Sequence, residues 1–378
     1  MPDFSHRPPP GSAPLHIIEP TLVDSAGHCL SLVHALAQAA VQIDADADLT
    51  IWAGQGAAAS LWSGPGRFVP HFERRWRKAQ AWALYRRLLR GPGRLLVSTA
   101  GSIDLLMADW AATGRIAPHT FHAFVHWLNP KPGRERRLAA LARRQPDLEV
   151  LVPTAAVAEV FRRCGFRTTQ VPYPLPVEGP TAAQAGQVTP FRTLLVAGGA
   201  RIDKGIDRVA DLVDALSGLG RRWPIVVQSS FESRQGDDAA LARQLERLRS
   251  ARAEDLVLRD DTPDAAAYRA MFEGAVVLQP YRAEDFRDRV SGVTLDALAA
   301  AAPVVVTAGT WMARLVERFG AGVATDDLSP AGLARAIDTV LADHAGFSRR
   351  ALEASTTLRR EHSAVALMSA VMTGRDAS

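Results

Sequence analysis

The 378-residue sequence contains two cysteines, Cys29 and Cys164, and neither stands in a Cys-x-x-Cys pair or beside a cluster of histidines. Two isolated cysteines argue against structural disulfides and structural zinc, and they fit a reducing compartment. No apolar run approaches the roughly 20 residues that a membrane-spanning helix needs. Residues 1–14 are rich in Pro, Ser and Gly and lack the apolar middle of a signal peptide, so they predict a disordered tail. The sequence therefore predicts a cytoplasmic protein.

Positive charge is unevenly distributed along the chain, although the net charge is only +4. Residues 67–94 combine many arginines with a single acid, Glu73, and with the aromatic rings of Trp76 and Trp82. Two interpretations remain open. The stretch contacts an acidic acceptor or the inner face of an anionic membrane, or its arginines lie over apolar neighbours on an ordinary surface helix. Basic patches alone do not predict a nucleic-acid partner.

The rest of the composition is ordinary for a globular protein, with 47% apolar and 22% charged residues. Short apolar runs alternate with helical spacing in both halves, which is typical of parallel strands covered by helices on both faces. The predicted strands are 15–19, 49–53, 94–98, 120–126 and 148–152 in the first half, and 193–197, 225–228, 256–258, 276–278 and 304–307 in the second.

A Pro-rich stretch separates the two halves, because five prolines lie between residues 172 and 190. The chain therefore predicts two doubly wound α/β domains, each related to the Rossmann fold, which face each other across a cleft. We expect a first domain at 15–175, a linker at 176–190 and a second domain at 191–346. Residues 347–378 predict one long helix that packs back across the domains.

Two motifs in the second half carry chemistry. In Val196–Asp207, a strand ends at Gly198-Gly199, and a turn with Arg201 and Lys204 leads into a helix. Such a turn can bring backbone and cations close to phosphate oxygens, although in isolation it also fits an ordinary turn with solvated cations.

In 280–306, Asp288 and Asp296 flank Ser291-Gly292-Val293 at a predicted helix start, where backbone amides bind anions. In isolation this motif also fits a solvated acidic loop before a core helix.

Together, the two motifs resemble the nucleotide-binding domain of the retaining family 4 glycosyltransferases, which have the GT-B fold. That family shows Gly-Arg-x4-Lys-Gly after a strand, then Glu-x7-Glu running into Glu-Ala-x-Ala-x-Gly-x-Pro-Val-Val. This chain has Arg201-Ile-Asp-Lys204-Gly205, then Asp288-x7-Asp296 running into Ala-Ala-Pro303-Val-Val. It differs in three ways: Arg201 is closer to Lys204, both glutamates are aspartates, and the glycine before Pro303 is Ala301 or Ala302.

The resemblance implies that Arg201 and Lys204 bind the diphosphate of a nucleotide-sugar donor, together with Gly199, Ser291, Gly292 and Val293. It implies that Asp296 accepts from ribose hydroxyls and that Asp288 faces the hydroxyls of the sugar. In the family, a glycine-rich loop after the first strand and a histidine after a mid-domain strand lie near the sugar and the acceptor. The corresponding positions here are Gly27, His28, His122 and His126. Of the two last histidines, His126 is favoured because it stands at the predicted strand end. Gly101, in the turn after another strand, is also expected on the acceptor side.

The implied activity is metal-independent transfer of a sugar to an acceptor hydroxyl, with retention, in the synthesis of a polysaccharide or glycoconjugate. The acceptor is unidentified and can be a glycan, a lipid-linked molecule or a protein. The alternatives are a sugar-nucleotide epimerase of the same fold and a non-catalytic nucleotide-sugar-binding protein. We expect no cofactor.

Two other motifs do not fit their usual context. Gly54-Gln-Gly56 follows the second strand, whereas a dinucleotide-binding fingerprint follows the first. Asp44-Ala-Asp46 precedes a strand, whereas the metal-binding motif of the other large glycosyltransferase fold follows one.

Overall fold

The computed structural model describes residues 13–24, 29–128, 131–175, 188–230, 239–251, 253, 255–261 and 263–373. The chain divides into two compact units. Unit 1 comprises Met1–Val177 and Glu361–Ser378, and unit 2 comprises Glu178–Arg360. Within the described residues, no helix is both long enough and apolar enough to cross a bilayer.

Unit 1 is built on a parallel sheet whose strand order is β3-β2-β1-β4-β5-β6-β7 in the described part of the chain. The central strands β1, β2, β4, β5 and β6 are almost entirely buried, as expected where helices cover both faces of a parallel sheet. The order reverses between β1 and β4, and ligands of open α/β sheets bind beyond the carboxyl ends of the strands at such a point. The strands are β1 (Leu15–Glu19), β2 (Leu49–Gly54), β3 (Arg67–Phe72), β4 (Arg94–Val97), β5 (Phe121–Phe124), β6 (Glu149–Val152) and β7 (Arg167–Gln170).

The helices of unit 1 that precede the second unit lie between these strands. The basic stretch 67–94 is not a single helix, because its first residues form β3 and its last residue begins β4. The helices are α1 (Cys29–Ile43), α2 (Arg77–Leu88), α3 (Ser102–Ala111), α4 (Pro132–Arg144) and α5 (Ala155–Arg163).

Unit 2 repeats the same topology without repeating the sequence. Within its described residues, a parallel sheet has the order β10-β9-β8-β11-β12-β13, and the order reverses between β8 and β11. The strands are β8 (Thr193–Val196), β9 (Ile225–Gln228), β10 (Leu256–Arg259), β11 (Ala275–Gln279), β12 (Val304–Thr307) and β13 (Gly322–Thr325). The helices are α6 (Ile206–Ala215), α7 (Ala239–Ser250), α8 (Ala265–Ala270), α9 (Ala283–Phe286), α10 (Gly292–Ala299), α11 (Trp311–Phe319), α12 (Pro330–Ala342) and α13 (His344–Glu361).

The C-terminal segment forms two helices, so the prediction of one long helix over 347–378 is wrong. Helix α13 ends at Glu361, and α14 (Ala364–Thr373) follows after two residues. The break is fixed by unit 1: His362 O accepts from Leu175 N at 3.0 Å, and Ser363 forms a β-bridge with Leu175. The apolar helix α14 then packs against α1 within unit 1.

Candidate functional site

The turn after β8 is shaped by two glycines in the left-handed conformation. Gly198 has φ +82°, and its N–H donates to Gln228 Oε1 at 2.6 Å. Gly205 has φ +73°, and a Cβ added there would lie 2.1 Å from the carbonyl oxygen of Pro280. Only glycine fits that position, because a side chain would collide with the backbone. The turn before α6 is thereby held against the carboxyl end of β11.

Lys204 is half-buried in this turn. A Cβ added to Gly198 would lie 2.8 Å from Lys204 Nζ and 3.1 Å from Val293 Cγ2, so the amine sits beside both the turn and the start of α10. The ring of Tyr281 is centred 5.9 Å from Nζ. Burial, reinforced by the nearby charges of Arg201 and Arg289, lowers the pKa of Lys204 to about 8. The structure thus brings the predicted residues Lys204 and Val293 together.

Two guanidinium groups and a carboxylate surround the same turn. Arg201 binds Asp203 in a bidentate ion pair, with Nε donating to Oδ1 at 2.8 Å and Nη2 to Oδ2. Arg289 Nη1 lies 3.6 Å from Asp203 Oδ2. Burial, together with the charge of Arg201, lowers the pKa of Arg289. Arg289 and Asp203 were not among the predicted site residues, although both stand within the two sequence motifs.

The start of α10 is anchored by a buried hydrogen-bond network. Ser291 caps the helix by accepting from Thr294 N at 3.3 Å. Gln279, at the end of β11, donates to Ser291 Oγ at 3.3 Å and accepts from Thr294 Oγ1 at 2.8 Å. Among the described residues beyond its own helix backbone and chain neighbours, no atom lies within 4 Å of a Cβ added to Gly292, so the first turn of α10 borders open space. Because the first N–H groups of a helix lack intrahelical partners, this rigid end is suited to an anion.

The two predicted carboxylates have different partners. Asp296, on α10, accepts from the hydroxyl of Tyr268 at 3.1 Å and is exposed. Asp288 accepts from Arg314 on α11 at 3.1 Å and is half-buried. Tyr268 therefore orients Asp296, whereas Asp288 is tied to a neighbouring helix. Gly199 lies in the turn after β8, and a Cβ added to it would be 3.3 Å from the carbonyl oxygen of Ser230, which follows β9.

In unit 1, a buried carboxylate occupies the corresponding point of strand reversal. Glu19, the last residue of β1, has no exposed surface. It accepts from Ser98 Oγ at 2.8 Å, from Thr99 Oγ1 at 2.9 Å and from Thr21 N at 3.1 Å. The carboxylate thereby holds together the loops that follow β1 and β4.

A cavity of about 290 Å³ opens beside Glu19's hydroxyl partners. Gly101, predicted on the acceptor side, lines it and precedes α3, and its N–H donates to Asp104 Oδ2 at 2.8 Å. Burial raises the pKa of Asp104. Arg77 and Lys78, exposed in the first turn of α2, also line the cavity. The cavity therefore combines hydroxyls, a helix N-terminus and two cations.

The two predicted histidines lie at different edges of the unit 1 sheet. His126 follows the end of β5, and its Nε2 is 2.8 Å from Ser98 O, which places it at the same edge as Glu19. His122 is the second residue of β5 and is completely buried. Because the strand begins at Phe121 and ends at Phe124, His122 lies near its amino end, away from the sheet edge that carries Glu19 and His126. Gly27 and His28 lie outside the described residues.

Comparisons with known proteins bear on the fold. No family model matches the chain, and no curated protein matches its sequence. Solved structures do match over nearly the whole length. The chain has the GT-B fold. The resemblance seen in the sequence is confirmed at this level, and both sheets agree with it.

The matching structures are glycosyltransferases of low sequence identity. Sucrose-phosphate synthase from Thermosynechococcus elongatus is 13% identical, with 96% of this chain and 97% of that chain covered at a TM-score of 0.66. HepE from Anabaena, in complex with UDP-glucose, is 14% identical, with 95% and 98% covered at 0.65. An α,α-trehalose-phosphate synthase from Burkholderia vietnamiensis is 13% identical, with 97% and 98% covered at 0.64.

Proposed function

We propose that the protein transfers a sugar from a nucleotide-diphosphate sugar to an acceptor hydroxyl, with retention and without a metal ion at the diphosphate. The observation that carries the proposal is the cationic turn of unit 2. Lys204, Arg201 and Arg289 surround a single carboxylate, Asp203, beside the first turn of α10. The fold shared with glycosyltransferases supports the same reaction class.

The charge of this turn suits a diphosphate. Positive charge exceeds negative charge around Asp203, and burial together with repulsion among the cations lowers the pKa of Lys204 and Arg289. A diphosphate diester carries two negative charges, so its binding would relieve that repulsion. The same groups would stabilise the nucleoside diphosphate that leaves, as preorganised charge does in many group transfers. A metal ion is therefore not needed to neutralise the leaving group.

The remaining donor contacts follow from the positions of the side chains. Asp296, oriented by Tyr268, is proposed to accept from the ribose hydroxyls, and Asp288 from the hydroxyls of the sugar. Retention follows from the family that the sequence motifs resemble. Because HepE was solved with UDP-glucose, that nucleotide sugar is the first donor to test.

The acceptor is proposed to bind at the cavity of unit 1. Glu19 fixes the hydroxyl-bearing loops there, and His126 lies at the same sheet edge through its contact with Ser98. Arg77 and Lys78 favour an acceptor that carries a phosphate or a carboxylate. Other arginines of the basic stretch lie over tryptophan rings, for example Arg87 over Trp52 at 4.9 Å. We therefore favour acceptor binding by Arg77 and Lys78 over membrane contact as the role of the basic stretch.

The test is an acceptor-dependent transfer assay. The protein is incubated with UDP-glucose and with sets of neutral and phosphorylated sugars, nucleotide release is measured, and the anomeric configuration of the product is read by NMR. We expect nucleotide release that requires an acceptor, and a product with the donor's configuration. Epimerised donor in the absence of an acceptor would make the protein an epimerase. Donor that binds but is never consumed would make it a binding protein.

A further inference from the structure

A cluster of two histidines and a glutamate lies at the amino edge of the unit 1 sheet, away from the cavity at the carboxyl edge. His122, on β5, is directly opposite Glu149, the first residue of β6. His119 stands in the turn before β5. One ligand atom from each residue can be chosen so that all three lie within 4.8 Å of one another. The proposed transfer reaction uses none of these residues.

The polar atoms of this cluster are buried without hydrogen-bond partners. His119 Nδ1, His122 Nε2 and Glu149 Oε2 are each inaccessible to solvent and lack a partner with hydrogen-bond geometry. Buried polar groups in folded proteins almost always have hydrogen-bond partners, whereas these three atoms lie close to one another without hydrogen-bond geometry. A metal ion would satisfy all three together.

Two of the three ligand–ligand distances are close to those of a tetrahedral metal site. His122 Nε2 lies 3.1 Å from Glu149 Oε2, and His119 Nδ1 lies 3.4 Å from the same oxygen. Ligands about 2.05 Å from a tetrahedral Zn²⁺ are separated by about 3.4 Å.

The backbone of His119 supports a ligand role. Its φ is +58°, in the left-handed region that residues other than glycine seldom adopt. Strained backbone persists where the surroundings enforce it, and it is concentrated at functional sites. Here the conformation directs the ring toward Glu149. The nearby guanidinium of Arg167 is paired with Asp147 at 3.4 Å, so its charge is partly compensated.

We propose that His119, His122 and Glu149 bind a divalent transition metal such as Zn²⁺. The fourth position is taken by water, since His119 retains exposed surface and gives access to solvent. The ion joins the turn before β5 to the starts of β5 and β6, and its role is structural. This site departs from the expectation, drawn from the isolated cysteines, that the chain binds no structural zinc.

The test measures metal binding directly on the full chain. Protein freed of metal with a chelator is titrated with Zn²⁺ in competition with a chromophoric chelator, and with Co²⁺ while the visible absorption of a four-coordinate site is recorded. We expect one equivalent of Zn²⁺ per chain, the Co²⁺ absorption, and a higher melting temperature with zinc than without it.

Two ligand variants and one control make the result specific. His119→Asn removes a ligand while tolerating the left-handed backbone, and Glu149→Gln removes the charge with little change in shape. Each should weaken zinc binding more than about 100-fold. His71→Asn should bind zinc like the wild type, because His71 Nε2 is also buried and unpartnered but belongs to no cluster of potential ligands among the residues that the structure describes.

Circular dichroism of each variant shows whether it is folded. Because His119 is partly exposed, we expect His119→Asn to fold and to test the proposal even if Glu149→Gln does not fold. Folded wild-type protein that binds no stoichiometric zinc would overturn the proposal, and so would zinc binding that both ligand variants retain. Stabilisation by protonation of the histidines without metal would make the cluster an ion pair instead.

Discussion

Lys204 gives the sharpest prediction, because its pKa of about 8 makes donor binding dependent on pH in an accessible range. The diphosphate should bind the protonated amine. Between pH 7 and pH 9 the protonated fraction of a group with this pKa falls about tenfold. We therefore expect the Kd for UDP-glucose to rise about tenfold over the same interval.

Replacing Lys204 by alanine should weaken donor binding at pH 7 and remove most of this pH dependence. A charge-assisted hydrogen bond contributes about 1.5–3 kcal/mol, so the expected loss is about 10- to 150-fold in Kd. Titration calorimetry at three pH values measures both effects. Lys131→Ala is the matched control, because Lys131 is an exposed lysine in unit 1 and should behave like the wild type.

Titration of Lys204 does not itself promote alkaline unfolding, because its contribution to stability has the opposite sign. Its pKa is lowered from 10.5 in the folded state, so the unfolded chain binds more protons between about pH 8 and 10.5. The contribution of Lys204 to stability therefore rises with pH over that window. Donor affinity in Lys204→Ala equal to that of the wild type at pH 7 would refute the diphosphate assignment.

Three further predictions follow from the same structure. Tyr268→Phe should raise the donor KM several-fold with little change in kcat, because it removes the hydrogen bond that orients Asp296; steady-state kinetics would contradict this if KM were unchanged. Transfer activity should survive EDTA as long as circular dichroism shows that the protein is folded; a complete loss by folded protein, restored only by added metal, would contradict charge stabilisation by Arg201, Lys204 and Arg289. Ala301 has φ +57°, so Ala301→Gly should leave the free energy of unfolding unchanged or raise it by up to about 1 kcal/mol, whereas Ala302→Gly should lower it by about 1 kcal/mol. Denaturant unfolding measures both values. A lower midpoint for Ala301→Gly than for Ala302→Gly would refute backbone strain at Ala301.

The position of Ala301 illustrates what the sequence left open and the structure decides. The family pattern places a glycine before Pro303, but two alanines fit the register. Ala301 adopts the left-handed conformation, and Ala302 does not. Ala301 therefore occupies the place of the family's glycine, at a conformational cost that the sequence alone does not assign to either residue.

The buried strands could be predicted, whereas three strands at the sheet edges could not. Strands β1, β5 and β8 are short apolar runs buried on both faces, and periodicity identifies them. Strands β3, β7 and β13 are largely exposed or half-buried, and β3 contains Pro70. Their pattern resembles that of loops, and only pairing with an inner strand defines them.

The site was predictable where its residues are close in sequence. Arg201, Lys204 and Ser291 belong to two motifs, but the proximity of Lys204 to the start of α10 requires the sheet order that places β8 beside β11. The cluster of His122 and Glu149 was missed for the same reason. Those residues are far apart along the chain and meet only because β5 pairs with β6.

The central claim is that unit 2 binds a nucleotide sugar through its diphosphate. Its most direct test is calorimetric titration of the wild-type protein with UDP-glucose in the presence of EDTA, followed by the other common nucleotide-diphosphate sugars. We predict saturable binding at one site for at least one donor, competition by the corresponding nucleoside diphosphate, and loss of affinity in Lys204→Ala. Folded protein that binds no member of this panel would contradict the account.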